Sequence, residues 1–294
     1  MERRRNMTSL REVLKRAEAD KVAVGHFNFS DLVAFNAIVA AARDKRLPVM
    51  VGLSEGEREF TGVRQAAALV KAVRDEYDYP IFLNADHTHS IANAEVAAKA
   101  GFDEIIFDGS ALPFEENIAR TRKAIEAIKS INPAILVEGE IGWIGASSAV
   151  FDRIPEGVGV LTTPDEAKQF VDATLVDVLA PAVGNMHGML ASMVHGDVQK
   201  RLNIARIAEI KAAVRIFMTL HGGSGTNDDD FRRAIKSGMT IVHVNTELRL
   251  AWRRGVEAGL AAEPNEVAPY KILGAAVEAV REVVSSRLEL FSSR

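Results

Sequence analysis

The sequence predicts a single α/β domain, residues 1–294, that folds as a (β/α)₈ TIM barrel with extra helices at its carboxyl end. Short apolar runs rich in Val and Ile recur along the chain, and segments with helical spacing of apolar residues separate them. Eight such units in about 250 residues match the length of a closed barrel. An open doubly wound sheet would usually carry a glycine-rich nucleotide turn after its first strand, and residues 25–30 (GHFNFS) are not one.

The predicted strands are short and mostly lack the alternation of a sheet with one wet face. Such runs are typical of parallel strands that are buried on both faces. The eight runs lie at 21–27, 48–54, 80–86, 104–110, 134–140, 176–183, 216–223 and 240–246.

The predicted helices lie between these strands and after the last one. Their ranges are 31–45, 63–76, 91–100, 115–129, 165–173, 204–213, 228–237 and a long tail at 265–291. Ser9 with Glu12 fits a capping box before a first helix. Thr163, Pro164 and Glu166 combine a cap, a first-turn proline and an acidic third position. The Gly- and Ser-rich segment 142–163 is long for a connection inside a compact domain, and such loops are often functional lids.

Composition excludes several classes of function. Lys plus Arg number 36 and Asp plus Glu 40, so the formal net charge of −4 does not favour nucleic acid as a partner. The chain has no cysteine, which excludes disulfides, thiolate catalysis and Cys-based metal sites. We expect no membrane span and no secretory signal, and therefore a cytoplasmic location.

Polar side chains end almost every predicted strand. Parallel barrel strands all point their carboxyl ends at one rim, where active sites of this fold lie, so these side chains should converge there. They include Asn28, Ser54, Asp86, His87, Asp108, Glu138, Glu140, His187, His221, His243, Asn245 and Thr246.

Three of the seven histidines are candidates for one metal site. His87, His187 and His221 follow three different strands, and three imidazoles suit a Zn-like divalent ion with one open position. A single histidine at a strand end is more often a hydrogen-bonded structural residue. His195 is expected in a solvated loop, and His26 has no evident role.

A glycine-rich run, HGGSG at 221–225, is a candidate phosphate cradle. Its backbone N–H groups can approach an anion closely, and Asn245 and Thr246 follow one strand later, at the usual phosphate position of such barrels. By itself the run could equally be a flexible turn.

The carboxylates leave two interpretations open. Asp86 could orient the neighbouring His87 or act as a general acid and base. Glu138 and Glu140 share one strand face, and they could lie near the metal or only fill the barrel interior.

The combined motifs resemble the class II, metal-dependent ketose-bisphosphate aldolases over essentially the whole chain. The matching segments are FNFSDL, SEGE, ADH at 85–87, GFDEIIFDGSALPFEENIARTR at 101–122, VEGEIG at 137–142, GNMHG at 184–188, LHGGSG at 220–225 and VNTELRLA at 244–251.

The resemblance implies roles residue by residue. It implies zinc on His87, His187 and His221, and proton transfer at the substrate hydroxyl by Asp86. The positions it implies for phosphate binding are Gly188, Gly222, Ser224, Asn245 and Thr246. Their place at the strand ends adds Asn28, Ser54, Gly223 and His243 as candidate phosphate or substrate contacts. The positions implied near a secondary ion are Asp108, Glu138 and Glu140. It also implies a monovalent cation near the phosphate and a homodimer or homotetramer.

The sequence departs from the family pattern at three places. Asn84 stands where many members have His, and Ile241 and His243 stand where members typically have Lys and Asn. The loop after VEGEIG lacks the usual pattern that supplies a proton-moving glutamate, and Asp152 and Glu156 are the two candidates to replace it.

The resulting hypothesis is a zinc-dependent lyase of carbohydrate metabolism. It would reversibly cleave a phosphorylated ketose, with fructose 1,6-bisphosphate of glycolysis as the first substrate to test, into dihydroxyacetone phosphate and an aldehyde. One alternative is aldol chemistry on another sugar phosphate or a sulfonated analogue. The other is a barrel that binds a metal but does not catalyse.

Overall fold

The computed structural model describes residues 8–145 and 147–293, and it confirms the closed barrel. Eight parallel strands close in the order β1-β10-β9-β7-β5-β4-β3-β2, and two short strands, β6 and β8, pair outside it. The strands are β1 Val24–Asn28, β2 Val49–Leu53, β3 Ile81–Thr88, β4 Glu104–Phe107, β5 Leu136–Ile141, β6 Val150–Phe151, β7 Val178–Pro181, β8 Met189–Leu190, β9 Phe217–Leu220 and β10 Met239–Val244.

Thirteen helices are present in the described ranges, most of them outside the barrel as crossovers. They are α1 Leu10–Asp20, α2 Leu32–Lys45, α3 Glu55–Thr61, α4 Val63–Tyr77, α5 Ile91–Ala100, α6 Phe114–Ile131, α7 Pro164–Thr174, α8 Ala191–Val194, α9 Ile204–Val214, α10 Asp228–Lys236, α11 Thr246–Ala262, α12 Pro269–Ile272 and α13 Gly274–Ser292.

The two predicted capping boxes are present at the starts of α1 and α7. Glu12 N donates to Ser9 Oγ and Ser9 N donates to Glu12 Oε2, which closes the capping box of α1. Thr163 and Glu166 form the same box at α7. These reciprocal bonds satisfy N–H groups that have no partner inside the helix.

The carboxyl-terminal helices differ from the prediction. Helix α11 was not predicted, and the predicted helix 265–291 is divided into α12 and α13. The reason lies in two glycines on the inner face of α11. A Cβ on Gly255 would lie 2.4 Å from the Cα of Ala276, and one on Gly259 would lie 2.0 Å from the carbonyl oxygen of Ile272. Beyond Trp252 the inner face of α11 therefore carries glycines in place of the apolar side chains that a helical pattern requires.

Helix α1 closes the amino end of the barrel. Leu10, Val13, Leu14 and Ala17 pack against side chains from the strand starts, which are Val24, Met50, Phe82, Leu136, Val178, Phe217 and Ile241. Arg11 and Lys129 form ion pairs with Asp177 beside this plug. The opposite rim therefore stays free for a site.

No helix in the described part of the chain combines the length and the apolar character that crossing a bilayer requires.

Candidate active site

The three predicted metal ligands meet at the carboxyl-end rim. His87 Nε2 lies 3.1 Å from His187 Nε2 and 3.3 Å from His221 Nδ1. The chain brings these rings together from the end of β3 and from the segments that follow β7 and β9. Their ring nitrogens form one of the groups that can hold a metal ion.

Each imidazole is oriented by a second partner on its other nitrogen. His87 Nδ1 donates to Asp108 Oδ2 at 2.8 Å, His187 Nδ1 to the carbonyl of Gly145 at 2.6 Å, and His221 Nε2 to Glu138 Oε1 at 2.6 Å. These bonds fix the tautomers so that the remaining lone pairs face one another. Lone pairs that converge within about 3 Å need a proton or a cation between them, so the arrangement fits a bound ion.

Burial and charge set the ionisation of these rings. Burial lowers the pKa of His187 and of His221 to about 3, which keeps both in the neutral form that metals bind. Burial acts the same way on His87, but Asp86, Asp108 and Glu140 outweigh it and raise its pKa well above the usual range.

The backbone at His87 is strained. Its φ of 41° lies in the left-handed region, which a residue with a side chain adopts at an energetic disadvantage. Such strain persists where surrounding contacts impose it, and it is concentrated at functional sites. Here it lets the consecutive residues Asp86 and His87 both reach the rim, as the sequence analysis anticipated.

Asp86 lies beside the imidazole cluster with one oxygen free. Asn28 Nδ2 donates to Asp86 Oδ2 at 2.8 Å, while Asp86 Oδ1 is buried and has no hydrogen-bond partner. The free oxygen lies 3.7 Å from His87 Nε2 and 3.7 Å from His243 Nδ1. Burial would raise the pKa of Asp86, but the imidazoles of His87, His26 and His221 outweigh burial and lower it. The carboxylate is therefore ionised and can accept a proton.

The three acidic residues predicted near a secondary ion occupy two places. Asp108 and Glu140 form a possible metal group with His87, and Glu140 Oε2 is buried without a hydrogen-bond partner. Burial raises the pKa of Glu140. Glu138 instead accepts bonds from His221 and from Thr219 Oγ1, so in the structure it orients a ligand.

The predicted phosphate residues line a narrow pocket next to the imidazoles. Its walls are Asn28, Asp86, His87, Ser148, His187, Gly188, Gly222, Ser224, His243, Asn245 and Thr246. Helix α11 begins at Thr246, so the positive end of its dipole lies at this pocket. Gly223 supports the wall from behind, since its N–H donates to the carbonyl of His243 at 3.0 Å.

A wider pocket shares part of this wall. Its lining includes Ser54, Asp108, Trp143, Ser147 and Arg249. Ser54 Oγ bonds to Glu57 Oε2 at the start of α3, which leaves Ser54 at the pocket edge.

The two candidate loop acids lie apart from these pockets. Asp152 and Glu156 are exposed, and neither belongs to the lining of the wide or the narrow pocket. Glu156 contributes only its carbonyl, which accepts a bond from Trp143 Nε1 at 3.2 Å. His195 is exposed, as expected.

The residues that depart from the family pattern lie inside the barrel. His243 belongs to a stack of three imidazole rings, and Asn84 makes a polar contact in the interior. His26 stacks on His243 with ring centroids 3.5 Å apart, and His243 stacks on His221 at 4.2 Å. Asn84 donates to Glu104 inside the barrel at 2.7 Å. Ile241 joins the apolar plug at the amino end.

Three polar side chains at the site, Glu57, Arg249 and Lys200, were not predicted. Glu57 accepts a bond from Asn28 at 2.8 Å and pairs with Arg249 at 2.6 Å, so it joins the first strand to α11. Lys200 is buried beneath the pocket and donates to backbone carbonyls. Glu57 and Arg249 do lie in the motifs SEGE and VNTELRLA, which were the available signal; Lys200 lies in no motif.

Comparison with known proteins gives a consistent family. The family model described as "Fructose-bisphosphate aldolase class-II" matches residues 8–294. A probable fructose-bisphosphate aldolase of Bacillus subtilis (strain 168) is 35% identical over 290 residues, covering 98% of each chain. A fructose-bisphosphate aldolase of Geobacillus stearothermophilus is 32% identical over 291 residues, again covering 98% of each.

Solved structures with the same fold include two further relatives. The YdjI aldolase from Escherichia coli K12 superposes with a TM-score of 0.81 at 25% identity, covering 97% of both chains. A putative fructose-1,6-biphosphate aldolase from Coccidioides immitis gives a TM-score of 0.81 at 27% identity, covering 96% of this chain and 95% of that one.

Proposed function

The chain belongs to the class II fructose-bisphosphate aldolase family, and we propose that it reversibly cleaves fructose 1,6-bisphosphate with a zinc ion held by His87, His187 and His221. The products would be dihydroxyacetone phosphate and an aldehyde. The observation that carries this proposal is the convergence of three imidazole nitrogens beside an ionised Asp86. They lie at the edge of the narrow pocket, where helix α11 begins.

The residues of the chain supply binding and proton transfer. Asp86 would take the proton of the substrate hydroxyl next to the breaking carbon–carbon bond, while the electron pair of that bond stays with the ketone-phosphate half as an enediolate. A proton from solvent would then add to that carbon to complete dihydroxyacetone phosphate, and Asp86 would release its own proton to solvent. In condensation Asp86 returns the proton. The ion, when bound, would act as a Lewis acid on the substrate carbonyl.

Positioning falls to the narrow pocket. Backbone groups at Gly222 and Ser224 and the start of α11 favour an anion there, which would hold the substrate phosphate in register with Asp86. Asn28 fixes Asp86 through the 2.8 Å hydrogen bond and is in turn held by Glu57.

The test is a coupled cleavage assay on the purified protein with fructose 1,6-bisphosphate. We expect activity in the isolated protein, loss of that activity after complete removal of metal by a chelator, and recovery on adding zinc. Manganese, cobalt and magnesium in parallel would identify the metal. Full activity without any metal would contradict the proposal.

The stack of His26, His243 and His221 favours a second candidate substrate. It places an imidazole where members typically carry Asn, and His243 Nε2 is buried without a partner. Another ketose phosphate, or a sulfonated analogue, could carry a polar group on its ketone half that bonds to His243 Nε2. A substrate panel decides between the two; bound metal with no turnover of any ketose would instead favour the non-catalytic barrel.

The proposed function also includes an oligomeric state and a cellular location for the protein. We expect a homodimer or homotetramer in the cytoplasm, where sugar phosphates are available. Light scattering after gel filtration measures the first, and a monomer at assay concentration would contradict it.

A further inference from the structure

Lys200 is a buried lysine whose charge has an unusual set of partners. Its side chain is 4% exposed, and its Nζ donates to the backbone carbonyls of Met186 at 2.6 Å, Gly188 at 2.6 Å and Gly222 at 2.9 Å. In the described part of the chain, no carboxylate is within hydrogen-bond distance of this ammonium. Lysines that are buried this deeply are usually paired with an acid.

The partners require the charged form of the side chain. An ammonium has three hydrogens, one for each carbonyl, whereas a neutral amine could donate only two. Burial lowers the pKa of Lys200 to about 7, and Glu247 opposes that shift. Three neutral oxygens that converge on one point are also the donor set that hard cations such as Na⁺ and K⁺ prefer.

The carbonyls come from the two loops that carry metal ligands. Met186 and Gly188 flank His187, and Gly222 follows His221. These loops touch closely, since a Cβ on Gly222 would lie 2.3 Å from the carbonyl oxygen of Met186. The ammonium thus bonds both loops at their point of contact.

The backbone of Lys200 is fixed to the same region. Lys200 N donates to the carbonyl of Gly225 at 2.8 Å, and Asn227 N donates to the carbonyl of Lys200 at 3.2 Å. Gly188 and Gly222, whose carbonyls bind the ammonium, also line the narrow anion pocket. The positive charge is therefore held directly behind the wall of that pocket.

We propose that the Lys200 ammonium is a tethered cation, which joins the two ligand loops and supplies positive charge to the anion pocket in place of a dissociable monovalent ion. This replaces the expectation of a separate monovalent cation. The part that concerns phosphate rests on the proposed function; the part that concerns the loops does not.

The first test uses the metal-loaded wild-type protein in salts of equal ionic strength. Thermal unfolding and calorimetric binding of inorganic phosphate are measured in tetramethylammonium chloride, whose cation is too large for a three-carbonyl site, and in KCl, NaCl and NH₄Cl. We expect the same midpoint and phosphate affinities within about twofold across the four salts. A selective gain of about tenfold or more in the small cations would overturn the proposal.

The second test removes the ammonium. Lys200→Ala should weaken phosphate binding about tenfold or more and lower the unfolding midpoint in tetramethylammonium chloride, and K⁺ or NH₄⁺ should restore both by entering the vacated site. The matched control is Lys129→Ala. Lys129 also donates to a backbone carbonyl, that of Ile135, but at the far end of the barrel beside Asp177. Its loss should create no preference among the salts.

A third variant, Lys200→Met, keeps the proposal testable if Lys200→Ala does not fold. Lys200→Met fills the space with an apolar chain, so its phosphate binding should stay weak in every salt. Wild-type affinity in Lys200→Met, or a Lys200→Ala defect that no small cation relieves, would refute the tethered-cation role. Neither readout needs aldol cleavage, so absence of cleavage would reject the proposed reaction without altering these outcomes.

Discussion

The two ends of the barrel are built on opposite principles. At the amino end, apolar side chains of α1 such as Leu14 pack against the strand starts, and the charge of Asp177 is paired with Arg11 and Lys129. At the carboxyl end, Asp86 Oδ1 and Glu140 Oε2 are buried and have no hydrogen-bond partner among the residues that the structure describes.

The difference separates stability from function. A buried polar atom without a partner costs free energy, so the carboxyl end is incomplete until a ligand or ion binds. The amino end gains its stability from apolar burial and from paired charges, and it needs no ligand. Substitutions at the two ends should therefore affect different measurements.

The largest expected effect is on catalysis at the carboxyl end. Asp86→Asn keeps a polar side chain near Asn28 but loses the group that accepts the proton, so kcat should fall about 10²–10⁴-fold. The variant should still fold, because Asn has the shape of Asp and can bond to Asn28, but it should lose some free energy of unfolding, since the folded protein lowers the pKa of Asp86 and therefore favours its charged form. Steady-state kinetics and urea unfolding check both, and a kcat within tenfold of wild type would contradict the role of Asp86.

The next effect is on stability at the amino end. Leu14 is fully buried under the barrel, so Leu14→Ala should lower the free energy of unfolding by about 2–5 kcal/mol through lost burial and a cavity. Metal content and kcat should stay unchanged below the unfolding transition. Leu32→Ala is the matched control, since Leu32 is 56% exposed, and it should change stability by about 0.5 kcal/mol or less. Loss of activity in folded Leu14→Ala would contradict the claim that the amino end contributes to stability and not to catalysis.

A smaller effect is expected one contact away from the ion. Glu138→Gln weakens the bond that orients His221, so zinc affinity should fall about 10–100-fold in competition with a chelating dye. Glu104→Gln serves as the control. Glu104 is buried in the barrel interior like Glu138, but it contacts Asn84 rather than one of the three imidazoles. Equal losses in both variants would mean that Glu138 acts only as interior packing.

The smallest effect is a pH dependence at the amino end. Burial raises the pKa of Asp177, but bonds from Lys129, Arg11 and Val137 N outweigh burial and lower it below 3.8. A lowered carboxyl pKa stabilises the fold above 3.8 and loses that contribution as the pH falls through the folded value. Asp177→Asn should cost about 1 kcal/mol at pH 7, and the difference from wild type should shrink between pH 5 and about 3. A difference that grows as the pH falls would reverse the sign of this argument.

The sequence predicted the barrel and its rim because both follow from local rules. Apolar runs identify buried parallel strands, and the fold itself brings strand ends such as His87 and His187 to one rim. The tautomers of these rings could not be predicted. They depend on Asp108, on Glu138 and on the carbonyl of Gly145, and a backbone carbonyl leaves no trace in side-chain identity.

Long-range pairs and buried charges were also beyond the sequence. Glu57 and Arg249 are 192 residues apart, and nothing local to either indicates the partner. Lys200 lies in an exposed, polar stretch, where a lysine is normally solvated. Its burial depends on how the segment around Thr226 pairs with it, which is a property of the folded chain.

Two sets of hydrogen bonds join the described residues of the segment 142–163 to the region around His187. The carbonyl of Gly145 holds His187, and the pairing of β6 with β8 fastens the same segment to the residues directly after Gly188. If His187 holds the proposed ion, a displacement of the segment that uncovers the wide pocket would also release that ring. Access for small molecules and exchange of the ion would then be linked, so a ligand that immobilises the segment would also slow escape of the metal.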